Sequence, residues 1–281
     1  MSKVKHQNIS YSSGISIAAT AINSFYFHGI DYNAFLSSGF SKLIPLLSKP
    51  NEYTVLHHYL RDFSNISEEV DVMYKNIDDL SELFDFIKRV LKEVELSPNL
   101  NQPNYDECED EFHRDCNCYP VLKQWMDYVN ENSKLIDESL THAAFQVVFL
   151  DRKFLHDFHY EISKKIKKNA IDMDKDDKIN FTQKNGFKRC HFPVWMKKAV
   201  FYRDKGCCVS CRRDLTGYFN VSGTYHVDHI IPLKLYGNND PSNFQILCDT
   251  CNTQKGARTT VTNNVSVPFW NLELEEYSKT E

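Results

Sequence analysis

Cys208 and Cys211, then Cys248 and Cys251, form two CxxC pairs on either side of a stretch, 226–232, that reads HVDHIIP. Each pair is a knuckle of two thiolates, and two knuckles close one tetrahedral Zn²⁺ shell, the Cys₄ set of a structural site. Between them stand an acid beside a histidine, Asp228-His229, and then Asn243; Asn252 follows the last cysteine. Asp228 offers an anionic oxygen and Asn252 an amide oxygen, donors suited to Mg²⁺ or Mn²⁺. An imidazole with an ordinary pKa of about 6.5 is a suitable base at neutral pH. A zinc clip around a hard-metal and general-base set points to phosphodiester hydrolysis. Each part alone says less. An Asp-His pair is common in surface turns, and two CxxC pairs also build zinc ribbons that only bind DNA or protein. The joint order carries the reading.

The segments RDKGCCVSC, HVDHIIPL and NFQILCDTCNTQKG, from about Tyr202 to Arg258, resemble an HNH endonuclease module with its zinc-binding cysteines. The resemblance covers about a fifth of the chain. It implies a ββα-metal fold with His229 as general base. It also implies Asp228 and Asn252 as holders of a catalytic Mg²⁺ or Mn²⁺, and Cys208, Cys211, Cys248 and Cys251 as structural zinc ligands. Asn243 matches the middle asparagine, whose amide ties the 230–242 loop back and aims the histidine. Two departures stand out. Asn252 occupies the place of the third name-giving histidine, and Tyr236-Gly237 replaces a pair of glycines, a change expected in loop shape rather than chemistry.

Phosphate contacts are expected from Lys255, three residues past Asn252 and on the same helix face, and from Arg258, nearly two turns on. Arg212 and Arg213 follow the first knuckle, and His226 shares a strand face with Asp228 by its i, i+2 spacing. For the four cations a solvated surface charge is the competing reading. Cys207 falls outside the two-residue spacing and reads as a small free or buried thiol. Residues 186–260 hold 11 Lys and Arg against 5 Asp and Glu, a balance of +6; residues 1–185 hold 21 against 29, or −8, and residues 261–281 hold 1 against 4, or −3. A basic module facing DNA, joined to an acidic partner, fits this division.

The elements that must position these residues follow from periodicity. Residues 66–96 place Val70, Met73, Ile77, Leu80, Leu83, Phe84, Ile87 and Leu91 at three- and four-residue steps, one or two amphipathic helices with Ser67 as N-cap. Residues 121–168 repeat the pattern, and 14–63 are helical with a break at Lys49-Pro50-Asn51. Val194–Lys205 reads as a helix ended by Gly206. Strands are expected at 225–228 and 244–247, and a helix from Asp249. The fold class is α+β: a mostly helical N-terminal domain over 1–185, a ββα-metal module with structural zinc over 186–260, and a tail over 261–281.

Other signals are weaker. Cys108, His113, Cys116 and Cys118 crowd a polar loop and could form a second zinc site, but their C-x₄-H-x₂-C-x-C spacing is unusual, and free thiols are the favoured reading. Asp172, Asp174 and Asp176 imitate a calcium loop, yet Asp177 stands where glycine is needed and Gln183 where glutamate is needed, so a solvated linker is expected. Nine cysteines with four at metal spacing fit a reducing cytoplasm. No run approaches the roughly 18–20 apolar residues of a spanning helix, so no membrane is expected. The whole reads as a metal-dependent endonuclease on double-stranded DNA, in restriction or anti-phage defence, with the helical domain meeting a protein partner. The alternative is a nucleic-acid-binding or scaffold protein that keeps the HNH fold without turnover.

Overall fold

The computed structural model describes residues 11–30, 40–108, 110, 112–169, 178–184, 186–217 and 225–262. Asp172, Asp174 and Asp176, and the tail beyond Thr262, lie outside the described residues. The described chain is mostly helical, with one small two-stranded sheet followed by a helix, the α+β class expected. No helix among the described residues is long and apolar enough to cross a membrane.

Two compact units emerge. One comprises Met1–Phe149, Met173–Ile179 and Asp240–Ser242; the other comprises Leu150–Asp172, Asn180–Asn239 and Asn243–Glu281. The first holds seven labelled helices: α1 Tyr11–His28, α2 Ile44–Ser48, α3 Val55–Arg61, α4 Ile66–Asn76, α5 Leu80–Glu93, α6 Cys118–Glu131 and α7 Ser133–Val148. The break at Lys49-Pro50-Asn51 falls between α2 and α3. On α5, Leu80, Leu83, Phe84, Ile87, Val90 and Leu91 are buried, the 3,4-spaced stripe that period 3.6 puts on one face. Its N-cap is Asp79, whose side chain accepts from Ser81 N–H at 2.8 Å. The cap of α4 is Asn65 rather than the expected Ser67, because Asn65 Oδ1 accepts from Glu68 N–H at 3.2 Å and Ser67 lies inside the first turn. Val70, Leu83 and Ile87 pack with Leu122 and Trp125 of α6 and Ile136 of α7 in one core. Each such buried side chain contributes about 1.5–3 kcal/mol.

The second unit holds α8 Arg152–Asn169, α9 Val194–Arg203, β1 Tyr225–His229, β2 Phe244–Cys248 and α10 Asp249–Lys255. The expected helical run over 121–168 is thus three helices, and the last of them, α8, groups with the second unit. β1 and β2 are antiparallel, with Asp228 opposite Gln245 and His229 opposite Phe244. α9 ends at Arg203, two residues short of the expected Lys205, with Gly206 at φ 63° beyond it.

A buried acid locks these pieces together. Asp204, 2 % exposed, follows α9. Its carboxylate accepts Arg203 Nε–H at 2.9 Å and Arg203 Nη2–H at 3.0 Å, and Ile246 N–H of β2 at 2.9 Å. Arg152 at the start of α8 lies 3.7 Å from the same carboxylate. Arg203 also donates to Phe244 O of β2. One anion therefore ties two helices to the strand that sets the register of the sheet. Removing one partner from a buried ion cluster strands the other charges and costs about 3–5 kcal/mol. Asp204→Ala should lower the stability of the second unit by that amount. Denaturant unfolding followed by amide exchange over 194–255 measures it, and an unmoved midpoint would show that the cluster contributes no net stability.

Candidate functional site

The thiolate clip is built from one loop and one strand end. In the first knuckle Cys208 N–H donates to Arg213 O and Arg212 N–H to Cys208 O, both at 2.9 Å, with Arg212 in the left-handed region at φ 65°. Val209 N–H donates to Ile246 O at 3.1 Å, which fastens the knuckle to β2. The second knuckle spans the end of β2 and the first turn of α10: Cys248 ends the strand and Cys251 lies in the helix. The four ligand atoms of Cys208, Cys211, Cys248 and Cys251 lie within 4.8 Å of one another, and Cys211 Sγ is 3.7 Å from Cys248 Sγ. Zn–S bonds of about 2.3 Å would place tetrahedral sulfurs about 3.8 Å apart, so the set fits zinc. Burial raises the Cys211 and Cys251 thiols, the latter to about 12, and acts upward on Cys248 too, but the Cys251 backbone N–H and the neighbouring thiols bring Cys248 down to about 7. The metal-free cluster would therefore hold its protons unevenly and release them when an ion binds. Cys207 stays outside the four and bridges to Asp214.

His229 ends β1 and is 7 % exposed, edge-on to Phe192 and tilted on Phe244. Its Nε2 lies 3.1 Å from Asn239 Oδ1. The Asn239 amide is itself oriented, because its Nδ2 donates to the Lys188 carbonyl at 2.8 Å. An amide oxygen only accepts, so the ring proton sits on Nε2 and the lone pair on Nδ1. Burial pushes the imidazole pKa down to about 4, outweighing the Asn239 bond and the neighbouring Asp228 charge, which both act upward. The ring is therefore neutral at pH 7, the form a base requires.

Asn239 is the ring's partner, and the sequence reading did not single it out. Asn243 works on the backbone instead. Fully buried, its Oδ1 accepts Ile231 N–H at 2.9 Å, while its Nδ2 donates to Ile231 O at 3.1 Å and Asn238 O at 2.9 Å. That staples the two ends of the loop between the strands. Asn238 in turn bonds His159 of α8 at 3.0 Å. An asparagine repeats no period and has no spacing rule, so only its preference for tight loops could have drawn notice to Asn239.

The remaining residues divide. Asp228 is half-buried on β1, and its Oδ2 accepts Lys255 Nζ at 2.7 Å and Gln245 Nε2 at 3.4 Å. Lys255, expected on a phosphate-facing surface, is 8 % exposed and points inward; its ammonium also donates to His229 O at 2.7 Å. Asn252 is half-buried on α10, which packs on both strands. Arg258 is exposed but off the helix, because α10 stops at Lys255 and Gly256 turns the chain at φ 53°. Arg213 is exposed, Arg212 is half-buried beside the knuckle, and His226 pairs with Asp249 at the start of α10.

The loop that presents His229 is tightly drawn. Tyr236 adopts φ 63° where glycine would be at ease, and a Cβ on Gly237 would sit 1.7 Å from Ile231 O. Gly237→Ala should force the loop open and cost at least the about 1–3 kcal/mol of an overpacked site. Thermal melting with amide exchange at 230–243 checks this; unchanged protection of those amides would mean the loop has slack.

Residues 208–258 match the family model described as HNH endonuclease. No curated protein and no solved structure matches the chain. The matched span starts at Cys208, the first cysteine of the four, and takes in the sheet, the stapled loop, α10 and Arg258. The family implies a nucleic-acid substrate and a nuclease-type function. The chain carries an HNH endonuclease domain at its C-terminus.

Proposed function

We propose that the protein is a zinc-stabilised, divalent-metal-dependent endonuclease that hydrolyses phosphodiester bonds in double-stranded DNA. The observation that carries this reading is His229: buried, neutral, and oriented by Asn239 so that its lone pair is on Nδ1. In that tautomer Nδ1 takes the proton of an attacking water, and the Nε2–H bond to Asn239 keeps the ring from turning. Asp228 and Asn252 would hold Mg²⁺ or Mn²⁺. Such an ion supplies charge neutralisation at the scissile phosphate and at the leaving 3′-oxygen. Asn243 holds the loop so that His229 keeps its place. Arg213 and Arg258 offer exposed charge for phosphates, with Arg212 and His226 as auxiliary contacts. Lys255 serves best as an internal counter-ion to the Asp228 carboxylate when no metal is bound.

A second reading has one observation in its favour. The Lys255 ammonium occupies Oδ2 of the carboxylate meant for the metal, which suits a nucleic-acid-binding or scaffold protein whose HNH fold has no turnover. Metal-dependent cleavage separates the two. The placement of the protein in restriction or anti-phage defence, in the cytoplasm, draws on the helical unit: a large acidic partner to a small basic nuclease suits a sensor or a protein-docking element. Residues 1–185, 186–260 and 261–281 would then be partner, nuclease and tail.

Zinc should copurify with the protein, and Cys208→Ser should unfold the ββα part of the second unit. That part has a small core, including Val209, Phe244 and Ile246, and structural zinc binding of about 10–16 kcal/mol is folding energy there. Elemental analysis of active protein that finds no zinc would refute the clip. For catalysis, His229→Ala should slow plasmid cleavage by about 10²–10⁴-fold with zinc content unchanged. Asn239→Leu should slow it too, by freeing the ring and its tautomer. Asp228→Ala and Asn252→Ala should raise the Mg²⁺ concentration needed for half-maximal rate. Full cleavage by the His229 variant would sink the assignment of the base.

A further inference from the structure

Between α5 and α6 the described chain from Val94 to Asn117 forms neither helix nor strand. Segments longer than about 12–15 residues without structure of their own are uncommon in compact units unless something specific holds or uses them. This one is folded onto its neighbours at defined points. Leu80 N–H donates to Phe112 O at 3.3 Å, Trp125 Nε1–H to Asn101 O at 2.8 Å, and Arg114 to the carbonyls of Tyr74 and Ile77. The Asp110 carboxylate gathers Phe112 N–H at 3.1 Å and Asp115 N–H at 3.0 Å.

The result brings together the four residues whose unusual sequence spacing favoured free thiols over a shared zinc. The ligand atoms of Cys108, His113, Cys116 and Cys118 all lie within 4.8 Å of one another. His113 makes this possible by taking φ 61°, a left-handed turn that reverses the chain between the first cysteine and the last two. The histidine is 8 % exposed, and its Nδ1 is buried without a hydrogen-bond partner. A buried polar atom left unpaired costs about 1–3 kcal/mol. Its other ring nitrogen, Nε2, faces Asp79 Oδ1 across 4.0 Å. Asp79 is held in turn by Ser81 N–H at 2.8 Å and Ser81 Oγ–H at 2.7 Å. The separation from the ring is too long for a hydrogen bond, so the carboxylate faces it through charge, on the side from which carboxylates orient metal-ligating histidines.

We propose that Cys108, His113, Cys116 and Cys118 bind a structural zinc ion in the helical unit, separate from the nuclease clip. Three thiolates and one imidazole form a soft, closed tetrahedral set that suits Zn²⁺ and excludes Mg²⁺ or Ca²⁺. Binding displaces the thiol protons to solvent, satisfies the orphaned Nδ1, and cross-links the irregular segment to the N-terminus of α6 and, through Asp79, to the start of α5. The inference stands on the first unit alone and does not depend on the nuclease reading.

Zinc content of the full-length protein, with X-ray absorption at the zinc edge, tests it. Two zinc ions per chain are expected, with an average shell of sulfur diluted by one nitrogen for every two metals. The double variant Cys108→Ser, Cys116→Ser should lose one zinc and keep the other. His113→Cys should keep both and turn the shell to sulfur only, which separates metal ligation from a merely structural histidine and serves if the serine variant does not fold. One zinc per chain in the natural protein, retained by the double variant, would overturn the proposal. So would a disulfide among Cys108, Cys116 and Cys118 in freshly purified protein.

Discussion

A single buried carboxylate organises the unit that carries the HNH domain. Asp204 accepts two guanidinium bonds from Arg203 and the Ile246 amide, with Arg152 close by. Ile246 is the central residue of β2, and Val227 of β1 is its register partner. Fixing β2 therefore fixes β1, and with it Asp228 on one face and His229 on the other. Ile246 also takes the Val209 amide of the first knuckle through its carbonyl. The strand residue that receives the anion's pull is the one on which the thiolate clip hangs. An ionic centre of this kind is costly to bury, and it yields a defined geometry only because the anion's acceptor capacity is shared among several donors.

Much of this was legible beforehand, for identifiable physical reasons. Two-residue cysteine spacing constrains the chain so strongly that the clip, the flanking strands and the helix from Asp249 could be placed from it. Amphipathic periods gave the helices of the first unit, as on α5 with its stripe from Leu80 to Leu91. Periodicity reports that a helix buries one face, not which face of another element receives it. That is why the helix from Arg152 to Asn169 read as part of the N-terminal block, although its Arg152 and His159 point into the second unit's polar core. Helix ends were less legible still. Extending α10 beyond Lys255 put Arg258 on a face it does not share, since Gly256 ends the helix.

The polar interior was the least visible. Lys255 looked like a surface charge because lysines mostly are, but its ammonium closes the gap between Asp228 and the His229 carbonyl. Asn239 carries no signal apart from its loop, yet it decides the histidine's tautomer. The cluster around His113 depends on one left-handed residue, and no spacing rule anticipates a reversal at a histidine. In each case the deciding fact is a three-dimensional pairing that the sequence spacing does not encode.

The chain of bonds from Lys188 O to Asn239 to His229 has an unusual mutational profile. Its origin is a main-chain carbonyl, which every residue type at position 188 would supply equally. Its end is the imidazole itself. Only the middle link is open to genetic change, so the placement of a proton on one nitrogen rather than the other hangs on a single amide. Drift at the lysine costs nothing here, whereas an aspartate at 239 would lose the donor that reads the carbonyl and set its charge against that oxygen, and an apolar residue there would leave the ring free to adopt either tautomer. Heritable control over the ring's tautomer is thereby concentrated at one codon.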